Sequence, residues 1–269
     1  MSLTMHVDFS QPLLLYNARD QSVLVSADGD LLRTAVMPSN SGLGQSTSGT
    51  WPDNAPKYRT AANGIEGQSI SQWNNGVSGR GILAVLGGSG PTSFLVGTDV
   101  WSASAGTAMF VFRQTADSES GNPGTTNGGF RIFEDSGITF ALRTYTNTGV
   151  QQVYGTVTDG GTNTVGPVVF ERDVAQLVTL RHAGGNLYLS INGGTETSIT
   201  NGNSAGLSTN VWIGYSFVYD RSFTGDMCEY MFWNTGDADG DLSGEQNALM
   251  AKWGIGGGDG MFPALSVAL

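Results

Sequence analysis

The chain has 269 residues, including 40 glycines and 8 prolines, and only 13% of its residues are charged. This composition favours many short strands joined by turns over long helices, so the predicted fold class is all-β. The 23 acidic residues outnumber the 12 lysines and arginines and give a formal net charge of -11, which repels phosphate backbones and argues against nucleic acid as a partner.

The first half of the chain carries few strand signals, separated by long polar stretches. Residues 13–16 predict a first short strand, and residues 108–113 alternate so that Ala108, Phe110 and Phe112 share one face. Neither a basic n-region nor an apolar run of membrane-spanning length is visible. We therefore expect no signal peptide and no insertion into a membrane.

The middle of the chain predicts a series of hairpins. Residues 138–145 alternate between two faces, and a turn near residue 148 returns the chain through residues 151–157. Two more strands are predicted at residues 177–182 and 186–191. The Asn192-Gly193 pair then starts another hairpin, because this dipeptide tolerates two positive φ values.

Residues 223–255 give strand, loop and helix signals in one order. Apolar and aromatic residues alternate along the closing strand, with Met227, Glu229, Met231 and Trp233 on one face and Cys228, Tyr230 and Phe232 on the other. A helix is predicted to begin at Ser243, whose hydroxyl caps the first turn while Gln246 reaches back. Leu249 and Trp253 share one side of it, and Gly254 ends it. We expect one domain over residues 1–255 and a glycine-rich tail over residues 256–269.

Three segments carry a resemblance to a known family. The matching residues are Gly225, Glu229, Leu242, Ser243, Gln246 and the Lys-Trp-Gly-Ile run at 252–255; Pro56, Tyr58, Asn63, Gly64, Gly67 and Trp73; and residues 186–194. In order and spacing they resemble the LamG-like jelly-roll domains of the concanavalin A-like lectin/glucanase superfamily. The resemblance implies a β-sandwich with one short C-terminal helix.

LamG-like domains are familiar in bacteriophage tail, fibre and head-appendage proteins. The resemblance therefore suggests where this protein is located. A glycine-rich jelly roll without an export signal fits a virion protein that is assembled in the host cytoplasm and is extracellular after release. Its expected partners are other virion proteins, and a homo-oligomer is compatible with the sequence. A chain whose export signal has been removed explains the N-terminus equally well.

Because the superfamily contains glucanases, a catalytic carboxylate motif is the sequence signal that would indicate an enzyme. A retaining glucanase needs two carboxylates about 5 Å apart, which the family places in a Glu-x-Asp-x-x-Glu strand. The nearest match begins at Glu171 and Asp173 but has Gln176 at the final position, and an amide neither donates the proton nor attacks the sugar. We expect a turn there, no catalytic residues and no enzyme; a polysaccharide-degrading enzyme is the alternative.

Calcium is the metal that the sequence suggests. Asp237, Asp239 and Asp241 alternate before the helix and offer carboxylate oxygens to Ca²⁺. The alternative is a solvated acidic loop in which Asp241 supports the helix N-terminus.

Aromatic residues suggest where a glycan would bind. Trp51 and Trp101 are flanked by loop residues and offer flat faces to a sugar ring. On the predicted hairpin a polar and aromatic patch is expected on the face opposite the core; it consists of Arg143, Tyr145, Gln152 and Tyr154. The alternative is that this second face packs beneath another segment.

The function predicted from these residues is a non-enzymatic virion appendage that binds host surface glycans. A structural decoration or scaffold protein that binds only other virion subunits is the second hypothesis. The sequence names neither the sugar nor the virion part.

Overall fold

A computed structural model of the protein describes residues 3–10, 13–16, 22–25, 57–73, 83–86, 105–117, 130–135, 140–158, 162–200, 210–216 and 221–256. Almost all regular structure in these ranges is β. The strands are β1 Leu3–Asp8, β2 Leu13–Tyr16, β3 Ser22–Val25, β4 Lys57–Arg59, β5 Ile70–Trp73, β6 Leu83–Leu86, β7 Ala105–Gln114, β8 Phe130–Asp135, β9 Phe140–Asn147, β10 Val150–Thr158, β11 Thr162–Phe170, β12 Gln176–Ala183, β13 Asn186–Ile191, β14 Thr197–Thr200, β15 Asn210–Ile213, β16 Tyr215–Ser216, β17 Arg221–Ser222 and β18 Gly225–Trp233. One α-helix, α1 over Leu242–Lys252, follows the last strand of the described part.

Two antiparallel sheets hold most of these strands. The first sheet has the order β14-β13-β12-β7-β18-β5-β4, and β1 also pairs with β18. The second sheet has the order β11-β10-β9-β8-β15-β6, while β2-β3 and β16-β17 form separate two-stranded ladders. The strand β18 is central because β7 covers one of its edges while β5 and β1 share the other.

The two sheets face each other across an aromatic core. Phe110 of β7 stacks on Phe133 of β8 with ring centroids 5.3 Å apart, and Phe133 meets the edge of Phe232 at 5.5 Å. All three rings are fully buried. Each such side chain stabilises the fold by about 1.5–3 kcal/mol relative to exposure. The structure is therefore a β-sandwich with one short helix, which confirms the predicted fold class.

The outer face of the first sheet is also buried, because α1 packs on it. Leu249 and Trp253 of the helical segment share this second cluster with side chains from the sheet, as predicted for one side of the helix. Its members are Ile65, Ile70, Met109, Val111, Leu177, Cys228, Met231, Trp233, Ala238, Leu249, Trp253 and Ile255. Burial raises the pKa of the Cys228 thiol well above its ordinary value, so this cysteine is an inert apolar side chain.

The alternation predicted for β18 is confirmed from Glu229 to Trp233, but the faces predicted for Met227 and Cys228 are wrong. Met227 faces the inter-sheet core together with Tyr230 and Phe232, whereas Cys228 and Met231 face the helix. The register against β7 shifts between Met227 and Glu229, where β18 contains one extra residue. Such a bulge reverses the faces of every residue that follows, and strict period-2 reasoning misses it.

The start of α1 also differs from the prediction. Asp241, not Ser243, is the N-cap, and its Oδ1 accepts a hydrogen bond from the Gly244 amide at 3.1 Å. Gln246 does not reach back to the cap. It is buried on the sheet and donates to the Thr179 hydroxyl at 3.0 Å. A carboxylate two residues upstream of Ser243 provides a stronger acceptor at the positive helix end.

Residues that carry the family resemblance hold α1 to the sheet. The Glu229 carboxylate, 2% exposed, accepts hydrogen bonds from Lys252 Nζ at 2.6 Å and Trp253 Nε1 at 2.8 Å. At Gly225 the φ angle is 150°, and a Cβ there would lie 2.1 Å from the Arg113 carbonyl oxygen. The matched positions thus have packing roles in this fold.

Most predicted strands are present. The hairpin of β9 and β10, the pair β12 and β13, and the positive φ values of Asn192 and Gly193 are as expected. The strands β1, β3, β6, β8 and β11 were not predicted. No helix in the described ranges combines the length and the apolar character that a membrane span requires.

The sequence also predicted buried tryptophans, a C-terminal tail and a domain boundary, and the structure tests only some of these predictions. Trp233 and Trp253 are buried in the core as expected. The side chains of Trp73 and Trp212, and the tail beyond residue 256, lie outside what the structure describes. The single-domain boundary at residue 255 stays a prediction.

Candidate functional site

A pocket open to solvent lies at one end of the sandwich. It forms where the segment after β7, the β9–β10 turn and the β11–β12 turn come together. Its volume is about 520 Å³, within the ~300–1,000 Å³ range of small-molecule sites. The lining residues are Asp117, Gly149, Val150, Gln151, Phe170, Glu171 and Arg172.

Backbone geometry fixes the two turns that form this pocket. Thr148 and Gly149 have φ values of 49° and 81°, the left-handed pair that closes a two-residue hairpin between β9 and β10. In the β11–β12 turn Asp173 has φ 65°, and its amide donates to the Gln114 carbonyl at 2.9 Å. The second turn is therefore tied to the end of β7.

A chain of side-chain hydrogen bonds crosses between the two sheets behind the pocket, and all but the last of these bonds are buried. The Thr144 hydroxyl of β9 donates to Gln114 Oε1 at 2.6 Å, and Gln114 Nε2 of β7 donates to Gln151 Oε1 at 2.7 Å. Gln151 Nε2 then donates to Asp117 Oδ1 at 2.8 Å. We call this series from Thr144 to Asp117 the glutamine relay. Gln114 is fully buried and Gln151 is 5% exposed, so solvent does not compete for the bonds that join Thr144, Gln114 and Gln151, whereas the Asp117 side chain is 57% exposed.

Charged groups form the rim of the pocket. Arg172 Nη1 contacts Asp117 Oδ1 at 2.9 Å, and Arg172 Nε contacts Asp173 Oδ2 at 3.1 Å. The hydrogen bond to Asp173, together with the charges of Asp117 and Asp173, raises the pKa of the Arg172 guanidinium. These pairs are exposed and therefore screened by salt. Among the described side chains, none bonds the exposed Glu171 carboxylate.

An exposed apolar side chain belongs to the lining of the same pocket, and two more neighbour the lining segment in sequence. Val150 lines it and is 41% exposed, while Val169 and Val174, 58% and 46% exposed, flank the lining segment 170–172. They are the exposed large hydrophobic residues of the described part. Acceptors, a guanidinium and aliphatic surface thus meet around one opening, a combination suited to a ligand with both hydroxyls and C–H faces.

Sequence reasoning did not find this pocket. It considered Glu171 and Asp173 only as a failed glucanase motif, and it correctly predicted a turn there. The lining residues come from three segments, near positions 117, 150 and 171, that the fold alone brings together. The one sequence signal available was a run of charged residues at a predicted turn.

The four residues of the predicted hairpin patch do come together. The Tyr145 and Tyr154 rings meet edge to face at 5.3 Å, Arg143 lies 5.8 Å from the centre of the Tyr145 ring, and the Tyr154 hydroxyl donates to Gln152 Oε1 at 2.8 Å. However, Arg143 and Tyr145 are 1% exposed and Tyr154 is 4% exposed. The prediction that these three side chains are exposed is wrong. They follow the alternative, in which the second face of the hairpin packs beneath another segment. Only Gln152 remains partly accessible.

The other predicted site residues are described in part or not at all. Trp51 and Trp101 lie outside the described residues, and so does the side chain of Asp239. Asp241 has the capping role that the alternative to calcium assigned to it. Calcium binding by Asp237, Asp239 and Asp241 stays a prediction.

One group of side chains in the described part has the spacing of metal ligands, namely His6, Asp8 and Glu229. The ammonium group of Lys252 already lies between the two carboxylates. Lys252 Nζ lies 2.7 Å from Asp8 Oδ2 and 2.6 Å from Glu229 Oε2, and His6 Nε2 lies 2.7 Å from Glu229 Oε1. Because the ammonium bonds both carboxylates, a metal ion would have to displace it. This cluster fastens β1, β18 and α1 together.

Comparisons with known proteins return structural similarity only. No protein-family model matches the chain, and no curated protein matches it. Full-length tailspike protein 2 of an Escherichia coli bacteriophage is 11% identical with a TM-score of 0.46, over 74% of this chain and 26% of that chain. Domain 4 of an extracellular arabinanase from Geobacillus stearothermophilus, solved with arabinotriose, is 13% identical with a TM-score of 0.41, over 87% and 93%.

A third similar structure is a pentraxin from Limulus polyphemus, 16% identical with a TM-score of 0.38 over 57% of this chain and 76% of that chain. At such values the similarities assign neither a family nor an activity. The function of this chain has to be argued from its own residues.

Proposed function

We propose that the chain is a glycan-binding β-sandwich and that the pocket at residues 117, 149–151 and 170–172 is its binding site. The observation that carries the proposal is the glutamine relay, which ends on a pocket carboxylate. Buried hydrogen-bonded amides hold Asp117 in one orientation before a ligand arrives, and such preorganisation reduces the entropy cost of binding. Val150 offers C–H contact beside these polar atoms.

The proposal includes the absence of catalysis. Asp117 Oδ1 accepts bonds from Gln151 and Arg172, and Asp173 accepts from Arg172. Carboxylates tied in this way to a permanent cation are poor proton donors for a leaving group. Assays for release of reducing ends from polysaccharides test this part, and turnover that is lost in Glu171→Gln would refute it.

We also propose where the glycan and the protein occur. We expect the glycan to belong to a host surface and the chain to be part of a virion, as the resemblance to LamG-like appendage domains implies. A scaffold protein that contacts only other virion subunits is the competing function. The pocket favours glycan binding over this alternative, because a purely structural role does not require a preorganised polar cavity.

Binding to a glycan array, followed by titration calorimetry with the sugars retained, tests the proposed site. Glu171→Gln is expected to weaken binding about fivefold to twentyfold, because it removes a charged acceptor that contributes roughly 1–2 kcal/mol. Glu171 is exposed, so the variant should fold normally.

Glu66→Gln is the matched control, an exposed acid-to-amide change at the turn beside Gly254, away from the pocket lining. It is expected to leave affinity unchanged. Equal affinities of the wild type and both variants would place the glycan elsewhere. Symmetric assemblies that bind no sugar at all would support the scaffold function instead.

A further inference from the structure

We infer that the pocket is selective for neutral sugars and amino sugars and rejects sugars that carry a carboxylate or sulfate, a selectivity that rests on the proposed glycan-binding function. The selectivity follows from the acceptor atoms that reach the pocket and from the charges that surround them.

The direction of the glutamine relay is fixed at every step. Gln114 Nε2 also donates to the Ala116 carbonyl at 2.8 Å, and its Oε1 accepts from Thr144. Gln151 Oε1 accepts a second hydrogen bond from the Thr146 hydroxyl at 2.8 Å. Rotating either amide by half a turn would place donors against donors and oxygen against oxygen. The relay therefore donates outward and ends on the acceptor Asp117.

Arg172 is the cation of the pocket lining, and it is already engaged. Its Nε and Nη1 bond two different carboxylates, those of Asp173 and Asp117. These bonds use two of the five N–H donors, and the two carboxylates already offset the charge of the guanidinium, so its attraction for a further anion is weak. One cation thus faces three carboxylates around the pocket, on a chain whose formal charge is -11. The local field repels a second negative charge.

Glu171 leaves an open acceptor in the lining. A carboxylate has two oxygens and about four acceptor positions, so it accepts two hydroxyl groups at once. The neighbouring hydroxyls of a neutral sugar ring meet this requirement, and an ammonium group adds a charge-assisted bond. A carboxylate or sulfate group facing Glu171 offers acceptors only, so it forms no hydrogen bond with Glu171 and adds like-charge repulsion.

The test compares glucose, glucosamine and glucuronic acid in short oligosaccharides of one linkage, by titration calorimetry on the full chain. The acidic member is expected to bind at least about fivefold more weakly than the neutral one at low salt, with the difference shrinking as salt rises. Glu171→Lys should reduce or reverse this preference, whereas Glu66→Lys, outside the pocket, should leave it unchanged.

The outcomes separate the two proposals. Binding of the acidic sugar as tightly as the neutral one, or a preference unchanged in Glu171→Lys, would overturn the charge selectivity while leaving glycan binding intact. Failure of all three sugars and of every glycan on an array would overturn the proposed function and the selectivity together.

Discussion

Lys252 is the side chain through which three separate parts of the fold meet. Its ammonium contacts Asp8 on β1 and Glu229 on β18, while it belongs to the last turn of α1. Glu229 is almost completely buried, and a buried carboxylate is tolerated only when it is paired and hydrogen-bonded. The Trp253 indole supplies a further donor. Single residues of this kind stabilise the position of whole elements.

Asp8 makes part of the stability dependent on pH. Burial alone would raise its pKa, but hydrogen bonds from Lys252 and Ser10 outweigh burial and hold the pKa below its ordinary value. A carboxyl with a lowered folded pKa stabilises the protein above its unfolded pKa, near ~4, and loses this contribution as the pH falls through the folded pKa. Asp8→Asn is expected to cost about 1 kcal/mol at pH 7, and this cost shrinks as the pH falls through the folded pKa of Asp8.

Urea unfolding of the wild type and Asp8→Asn between pH 2 and pH 7 measures this difference. Ser10 can still bond an asparagine oxygen, so the substitution keeps these two bonds and removes the ion pair with Lys252. In a Lys252→Met background the same change should have little effect, as a double-mutant cycle will show. A difference that persists unchanged at pH 2 would contradict the ionic explanation.

At the scale of elements, β18 and α1 show how local patterns succeed and fail. The strand, the loop and the helix occur in the predicted order, because aromatic density and turn residues are local signals. The bulge at Cys228 depends on pairing with β7 and is not a local property. It exchanges the two faces of β18, and this exchange allows Glu229 to point towards α1 instead of the core.

The cap of α1 gives an element-scale prediction. Asp241→Ala is expected to lower the free energy of unfolding by about 0.5–2 kcal/mol, since the Gly244 amide loses its acceptor. Ser243→Ala is the matched control, because Ser243 is exposed and should tolerate alanine with a change near zero. Thermal or urea unfolding measures both. If Ser243→Ala lowered the free energy of unfolding more than Asp241→Ala, Ser243 would be the N-cap, as the sequence predicted.

At the scale of the molecule, the glutamine relay joins the two sheets at the end that carries the pocket. Gln114 belongs to the first sheet, and Thr144 and Gln151 belong to the second. Their bonds keep the ends of β7, β9 and β10, and hence the three turns, in a fixed relation. The pocket is therefore a property of the whole sandwich.

Gln114→Leu tests this dependence. The substitution leaves polar groups of Thr144 and Gln151 buried without their Gln114 partner, so we expect a loss of about 1–3 kcal/mol in stability and a clear loss of glycan affinity. Gln246→Leu is matched, because Gln246 is a second buried glutamine that contacts Thr179 under α1. It should destabilise without changing affinity. If calorimetry finds the same glycan affinity for Gln114→Leu and Gln246→Leu, the glutamine relay does not contribute to binding.

The sequence by itself determined the all-β class, most hairpins and the terminal helix, because alternation, turn dipeptides and caps act over a few neighbouring residues. It also identified core tryptophans such as Trp233 and Trp253. Only the tertiary structure decided that Arg143 and Tyr145 are buried and that Asp117, Val150 and Glu171 share a pocket. Burial and convergence depend on which strands pair and which turns meet at one end of the sandwich, and these long-range relations leave no periodic signal in the chain.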